Sequence, residues 1–339
     1  MTLRLAYGYQ HWTTAVHLEH ALARRTDVVT VGPGHAAADD RVWPLLWVES
    51  GVPWVPSPSA IARAMSAAYL IDTHRGYRWR ARLAHAFDFA FTAQRPAAER
   101  LASQGMPAAW LPLAAPKDLC GPGPDFADRA YDVAFVGQAP SGSFRAALLD
   151  AARARFSVAP VEGRLEPAAM MDVYRSARVV LNDPVSGDLN MRAFEAPGAR
   201  SLQVTVDVPG LRDLVPASAY ALVAHRNVDE WLRAVDATLR DPTAPQRADA
   251  AYAEIMANHT YDNRAGEVLA RLENGSRRAI ASQRRAGALA AAWARWNQPD
   301  EIARLGLRPP RTLLYRGEAF AWGAASAAVR VRRRLKNSP

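Results

Sequence analysis

Two stretches decide the fold: Tyr174-Arg175-Ser176-Ala177-Arg178-Val179-Val180-Leu181-Asn182 and, after a short loop, Leu189-Asn190-Met191-Arg192-Ala193-Phe194-Glu195-Ala196-Pro197. Residues 179–181 form an apolar run bounded by Arg178 and Asn182, which predicts a buried strand over 178–181 ending at Asn182. The spacing that follows predicts a helix opening near Leu189. Strand, loop and helix in this order are half of a βαβ unit and imply a parallel sheet. A helix start offers unpaired amides and the positive end of its dipole, a natural seat for a diphosphate. Arg192 falls in the first turn, where a guanidinium bridges phosphate oxygens. Glu195 lies three residues on and shares its face; its carboxylate suits the two vicinal hydroxyls of a ribose. On spacing alone, a surface Arg–Glu pair fits these positions equally well.

Working outward, the same alternation recurs. Strands are predicted over 3–7, 28–31, 44–48, 68–71, 87–92 and 109–113, with helices over 17–25, 59–66, 78–85 and 96–104 between them. Residues 115–129 hold prolines, glycines and mixed charges without periodicity, the signature of a linker. A second run follows, with strands over 132–136, 178–181, 201–206 and 221–223 and helices over 144–155, 170–176, 228–239 and 244–258. The expected division is 1–115, a linker over 116–130, a second domain over 131–272 and a helical tail over 273–339. The fold class is α/β: two Rossmann-like domains facing across a cleft, with a basic helical C-terminal tail.

Composition narrows the classes. Half of the 339 residues are apolar and 22% are charged, which excludes a disordered or collagen-like chain. The lone Cys120 excludes a disulfide framework and a cysteine-based zinc site. No apolar run approaches the ~20 residues that span a bilayer, and residues 1–9 lack the pattern of a signal peptide. The chain therefore reads as soluble and cytoplasmic, with attachment to a membrane surface left open. The net charge of +9 is concentrated: from Arg271 onward 15 Lys+Arg face 4 Asp+Glu, and the first 270 residues are near neutral.

The second half resembles a known family. The segments Tyr131-Asp132-Val133-Ala134-Phe135-Val136-Gly137, residues 174–182, the Asn190 to Pro197 run, Pro209-Gly210-Leu211, and Asn258-His259-Thr260-Tyr261 with Arg264 occur in order. Together they resemble the GT-B glycosyltransferases, specifically the group 1 branch that includes CgeB-like spore-maturation proteins. In the first half, Ile71-Asp72-Thr73-His74, Phe87-Asp88 and Trp110-Leu111-Pro112-Leu113 are similar to the same branch. The resemblance implies transfer of a sugar from a nucleotide-diphosphate sugar to a hydroxyl acceptor. It implies a metal-independent reaction, with retention of configuration and the nucleotide sugar as co-substrate rather than any cofactor. It further implies a donor-binding set of Gly137, Ser143, Arg145, Asn182, Asn190, Arg192, Glu195 and Gly210. Seats beyond the carboxyl ends of parallel strands agree with that set.

The first half is expected to bring acceptor and catalytic groups. Asp72 and His74 follow a predicted strand, where a histidine serves as a general base or steadies a leaving diphosphate. Glu49 also stands at a strand end, and His11 follows the first strand; both are candidates beside local structural roles. His17 and His20 lack a third ligand, and no Asp-x-Asp motif is present, so no metal site is expected. The absence of a Gly-x-Gly-x-x-Gly motif disfavours a nicotinamide enzyme.

Alternatives remain at this level. The position eight before Glu195, a glutamate in many retaining relatives, is Gly187. A non-catalytic nucleotide-sugar binder on the same fold therefore stands beside the enzyme. The basic tail has three readings. It crosses back onto the first domain, it lies on an anionic membrane surface, or it follows a nucleic-acid backbone. The last would make hydroxylated bases of DNA the acceptor.

Overall fold

The computed structural model describes residues 1–8, 13–33, 42–161, 165–305, 307 and 311–336. The chain divides into two compact units, one of residues 1–111 with 268–339 and one of residues 112–267.

The first unit opens with β1 (Thr2–Ala6), α1 (Thr14–Ala23), β2 (Asp27–Val31), β3 (Leu45–Val48), α2 (Pro58–Ala62) and β4 (Ser66–Leu70). It continues through α3 (Tyr77–Ala84), β5 (Phe89–Thr92), α4 (Arg95–Ser103) and β6 (Ala108–Trp110). Its six strands are parallel in the order β2-β1-β3-β4-β5-β6. The central strands read as continuous apolar runs because both faces are covered: Leu45, Leu46, Trp47 and Val48 are all buried. Ser57 caps α2, its hydroxyl accepting the Ala60 amide at 3.2 Å. Pro58 then occupies the first helical turn, where its missing N–H costs nothing.

The second unit holds β7 (Tyr131–Ala134), α5 (Phe144–Arg153), α6 (Pro167–Arg175), β8 (Ala177–Asn182) and α7 (Arg192–Gly198). Then come β9 (Leu202–Val206), α8 (Leu211–Leu214), β10 (Tyr220–Val223), α9 (Val228–Arg240) and α10 (Ala244–Asn258), while α11 (Tyr261–Asn274) begins in this unit and ends in the first. Its strands are parallel in the order β10-β9-β8-β7. Val158 adds an isolated parallel bridge to Val133 on the other side of β7. The chain thus leaves β7, visits one flank, and returns to place β8 on the opposite flank. The order reverses between β7 and β8, as it does between β1 and β3 in the first unit. Such reversals leave a crevice at the carboxyl ends of the two strands, where ligands of open α/β sheets bind.

One expectation is corrected. Residues 116–130 are not a linker but part of the second unit, with short 3-10 turns at Lys117–Leu119 and Phe126–Asp128. Arg129 is buried there and donates to the carbonyls of Ala177 (2.7 Å) and Ala199 (3.2 Å) and to the Ser201 hydroxyl. Burial pulls its guanidinium down to about 10. A lack of periodicity marks irregular backbone, and irregular backbone packs as tightly as a helix when its polar groups find partners.

The tail packs on the first unit, the first of the three readings given for it. After α11 it forms α12 (Ser282–Arg295), α13 (Pro299–Arg304) and α14 (Arg311–Lys336). In α12 every residue from Arg285 to Ala294 is buried, and the helix packs on α3 and α14. A helix apolar on all sides is a buried helix, and its alanines let neighbours approach closely. Leu289 is fully enclosed, a burial that contributes roughly 1.5–3 kcal/mol.

Asp88 fixes this return. Its Oδ2 accepts the Ser66 amide and hydroxyl, both at 3.0 Å. Its Oδ1 accepts the Arg278 amide at 3.0 Å, with the Arg285 guanidinium 4.0 Å away.

Candidate functional site

In the second unit the predicted residues meet where the strand order reverses. Val136 and Gly137 follow β7, Asn182 ends β8, and Arg192 opens α7. The Arg192 guanidinium is held on several sides. It donates to the Val136 carbonyl, to the Tyr174 hydroxyl (3.1 Å) and to Asn182 Oδ1 (3.4 Å), and it lies 4.9 Å from the Phe135 ring centre. A guanidinium so braced keeps its remaining N–H vectors in a fixed direction, which is preorganisation for a planar anion.

Gly137 is dictated by this closeness. It adopts φ +155°, and a Cβ there would stand 3.1 Å from the Arg192 guanidinium and 3.3 Å from the Phe135 ring. Only glycine combines that conformation with that approach.

Glu195 sits one turn into α7 and is 5% exposed. Among the described residues no hydrogen bond or ion pair reaches its carboxyl group. Burial therefore pushes it up to about 7, with Arg192 pulling the other way. The neighbouring Tyr174 phenol is driven to about 12 by burial, and the Cys120 thiol also to about 12. A buried carboxyl group without partners carries an unmet demand for donors, which two ligand hydroxyls would meet.

Two further residues complete the cluster. Asp183 follows β8 and is almost wholly buried. Arg145 donates to its Oδ2 at 3.0 Å, and Arg226, just after β10, donates to Oδ1 at 2.9 Å and Oδ2 at 3.2 Å. Arg145 also reaches the Asp183 carbonyl and the Gln138 carbonyl (3.1 Å) and lies 5.7 Å from the Phe135 ring. Arg145 and Arg192 thus both pack on Phe135. Three guanidiniums surround the strand ends, with Asp183 bonded to two of them and Glu195 held near neutrality. Asp183 and Arg226 were not anticipated: Asp183 carried the weak signal of an acid directly after a strand, and Arg226 carried none.

Other candidates take different places. Asn182 is a hub rather than a surface group. Its Nδ2 donates to Gln203 Oε1 (3.2 Å), and its Oδ1 accepts from Asn190 Nδ2 (3.0 Å). Asn190 Oδ1 is buried without a partner. Ser143 caps α5, accepting the Ala146 amide at 3.2 Å. Gly210 precedes α8 with φ +91° and lines an open depression with Asp207 and Arg212 at the carboxyl end of β9. The helix expected from Leu189 begins only at Arg192. Its first-turn amides at Ala193, Phe194 and Glu195 are spent on the Asn190 and Met191 carbonyls. The dipole seat is therefore weaker than the sequence suggested, and the arginines carry the positive field.

In the first unit, Glu49 is not a free acid. Its carboxylate accepts Arg80 Nε at 2.9 Å on both oxygens and the amides of Ile71 (3.0 Å) and Asp72 (3.4 Å). It thereby ties the end of β3 to the loop after β4. That loop carries Asp72 and the half-buried His74 on a 3-10 turn, Thr73–Arg75. At the reversal in this sheet, the Gly8 amide donates to the Ser50 hydroxyl at 3.0 Å. A Cβ on Gly8 would lie 2.4 Å from Val52 Cβ, so only glycine fits. His11 lies outside the described residues. Among the described residues no three His, Cys, Asp or Glu side chains gather into a group that could hold a metal ion.

The glycosyl transferase-like family model matches residues 128–270. No curated protein gives a significant sequence match. Solved structures match at the level of fold. A sucrose-phosphate synthase from Thermosynechococcus elongatus aligns with TM-score 0.55 and 12% identity, covering 81% of this chain and 100% of that one. A trehalose-6-phosphate structure from E. coli bound with UDP-2-fluoro glucose aligns with TM-score 0.59 and 11% identity over 82% and 100%. A trehalose-6-phosphate synthase examined for glycosyl transfer with retention aligns with TM-score 0.58 and 11% identity over 81% and 100%. The chain thus shares the GT-B fold of these sugar-transferring enzymes, and its residues 128–270 carry glycosyl transferase-like sequence.

Proposed function

We propose that the protein moves a sugar from a nucleotide-diphosphate sugar to a hydroxyl acceptor, with the donor held by the second unit. The observation that carries this reading is the gathering of Arg145, Arg192 and Arg226 with the buried, unpartnered Glu195 at the strand-order reversal. Glu195 takes the ribose hydroxyls. Arg192 takes the diphosphate, and Arg145 and Arg226 add positive field beside it. In this reading arginines rather than a metal ion neutralise the departing diphosphate, a preorganised electrostatic device. The nucleotide sugar is a co-substrate, and no further cofactor is invoked. UDP-2-fluoro glucose in the E. coli relative supports the donor class.

The reaction we propose keeps the anomeric configuration. The bond from the anomeric carbon to the phosphate oxygen breaks, the bond to the acceptor oxygen forms, and the acceptor proton leaves with the diphosphate. His74, beside Asp72, orients the acceptor hydroxyl from the first unit. The work on retention in the trehalose-6-phosphate relative supports this stereochemistry. The Asn190 to Pro197 run and the His259-Thr260-Tyr261 run favour the CgeB-like branch.

A screen of nucleotide sugars by thermal shift tests the donor assignment. A ligand at 100 times its dissociation constant adds ~2.7 kcal/mol of stability. The pure protein is then given the stabilising donor and a panel of hydroxyl acceptors, and the product anomer is read by NMR. Donor turnover that survives in both Arg192→Lys and Glu195→Ala would remove the reading. Stabilisation without any hydrolysis or transfer would leave a binding protein.

A further inference from the structure

The first unit carries a second feature, remote in chain from the residues just described. A cavity of about 730 Å³ opens between α3, α12 and α14. Arg75, Arg78, Arg82, Arg100 and Arg295 line it, against the single carboxylate of Glu318, which pairs with Arg82 at 3.5 Å. Its remaining walls are aromatic. Arg100 lies over the Tyr77 ring at 4.3 Å and Arg295 over the Trp322 ring at 4.4 Å, with Trp79 beside them. Rings under guanidiniums hold the charges outward without a carboxylate to quench them. The excess of positive charge calls for an anionic ligand.

The outer side of α14 is apolar. Leu313, Leu314 and Phe320 are 68%, 60% and 62% exposed. With Gly317, Ala321 and Ala324, all exposed, they recur at helical spacing and occupy one side of the helix. Large apolar groups left in water in a continuous stripe mark an interaction surface. Arg316 borders the stripe, and the sequence beyond it is strongly basic through Arg330, Arg332, Arg333, Arg334 and Lys336.

We propose that this face of the first unit docks on an anionic lipid bilayer. The stripe of α14 lies in the interface with Leu313, Leu314 and Phe320 in the acyl boundary, and the arginine–aromatic cavity receives lipid phosphates. Apolar stripe and basic border are the two parts of an interfacial helix, and the anionic leaflet supplies the complementary charge. Tryptophan and tyrosine at the cavity suit headgroup depth. A nucleic-acid backbone would satisfy the arginines but leave the stripe in water. The surface would bring the enzyme to acceptors at the membrane, and it acts whether or not the donor assignment holds.

Flotation of the full chain with vesicles tests this. The protein should float with phosphatidylcholine–phosphatidylglycerol vesicles and stay behind with phosphatidylcholine alone, and high salt should release it. The double variant Leu313→Glu, Phe320→Glu should lose roughly tenfold or more in partitioning. Arg78→Ala, at an exposed arginine, should lose about fivefold. Both should keep the parent thermal midpoint. Absence of flotation at low salt, equal flotation on neutral vesicles, or unchanged flotation of the double variant would each overturn the proposal. So would release by inorganic phosphate with the stripe substitutions silent. Retention on duplex DNA without vesicle binding, or a dimer abolished by the double variant without vesicle binding, would overturn it too.

Discussion

Arg226 meets Asp183 through two hydrogen bonds, 2.9 and 3.2 Å long, across 43 positions of sequence. The pairing draws the segment after β10 onto the end of β8, and Arg145 closes the same carboxylate from α5. A carboxylate shared by two guanidiniums fixes both while leaving the cluster positively charged. The second unit gains a rigid basic rim at the edge where its strands end. Removing Asp183 should therefore harm folding as well as binding. Asp183→Ala leaves Arg145 nearly buried without its partner and should cost roughly 2–3 kcal/mol, read as a lower urea midpoint with the slope unchanged.

Glu195 gives a stability profile with a definite sign. Its carboxyl group titrates near its usual value of 4.5 when unfolded and at about 7 when folded. Between these values the folded state binds the extra proton, so stability falls as pH rises from about 4.5 to about 7 and is level above. The loss is on the order of 3 kcal/mol. Glu195→Gln should flatten the profile, which denaturant midpoints at about pH 5 and about pH 8 will show.

On the proposed function, His74 should separate chemistry from donor binding. The residue stands on the first unit's 3-10 turn, whereas the proposed donor cluster belongs to the second unit. His74→Ala should lower kcat by roughly 10²–10⁴-fold and leave the thermal shift produced by the nucleotide sugar unchanged.

Asp88 is a costly polar residue to lose in the first unit. It joins Ser66 on β4 to the amide of Arg278 and faces Arg285 of α12. Asp88→Ala should cost about 3–5 kcal/mol. Proteolysis should then begin in residues 275–281, before α12, at denaturant levels that leave the parent chain intact.

Much of the α/β alternation was legible because a buried parallel strand must be apolar on both faces. The strands over 28–31, 44–48 and 201–206 are each matched by an observed strand within a residue or two. The short bridge at Val158 was not legible, since one residue pair leaves no period to detect, yet it sets the strand-order reversal beside Gly137. Residues 116–130 were misread because Arg129 satisfies its hydrogen bonds with carbonyls far along the chain.

The candidate site divides the same way. Arg192 and Glu195 were visible as a pair at helical spacing, and Gly137 as a glycine after a strand. Glu49 looked like an acid at a strand end; only the fold revealed Arg80 bonded to it.

By itself the sequence determined which segments are strands and helices and which of them carry charge, because periodicity and residue chemistry are local properties. The tertiary structure alone decided which charges meet. It paired Asp183 with Arg145 and Arg226, enclosed Glu195 without a partner, and returned α12 to Asp88. Those outcomes depend on desolvation and on distances between residues far apart in the chain, and no local pattern encodes either.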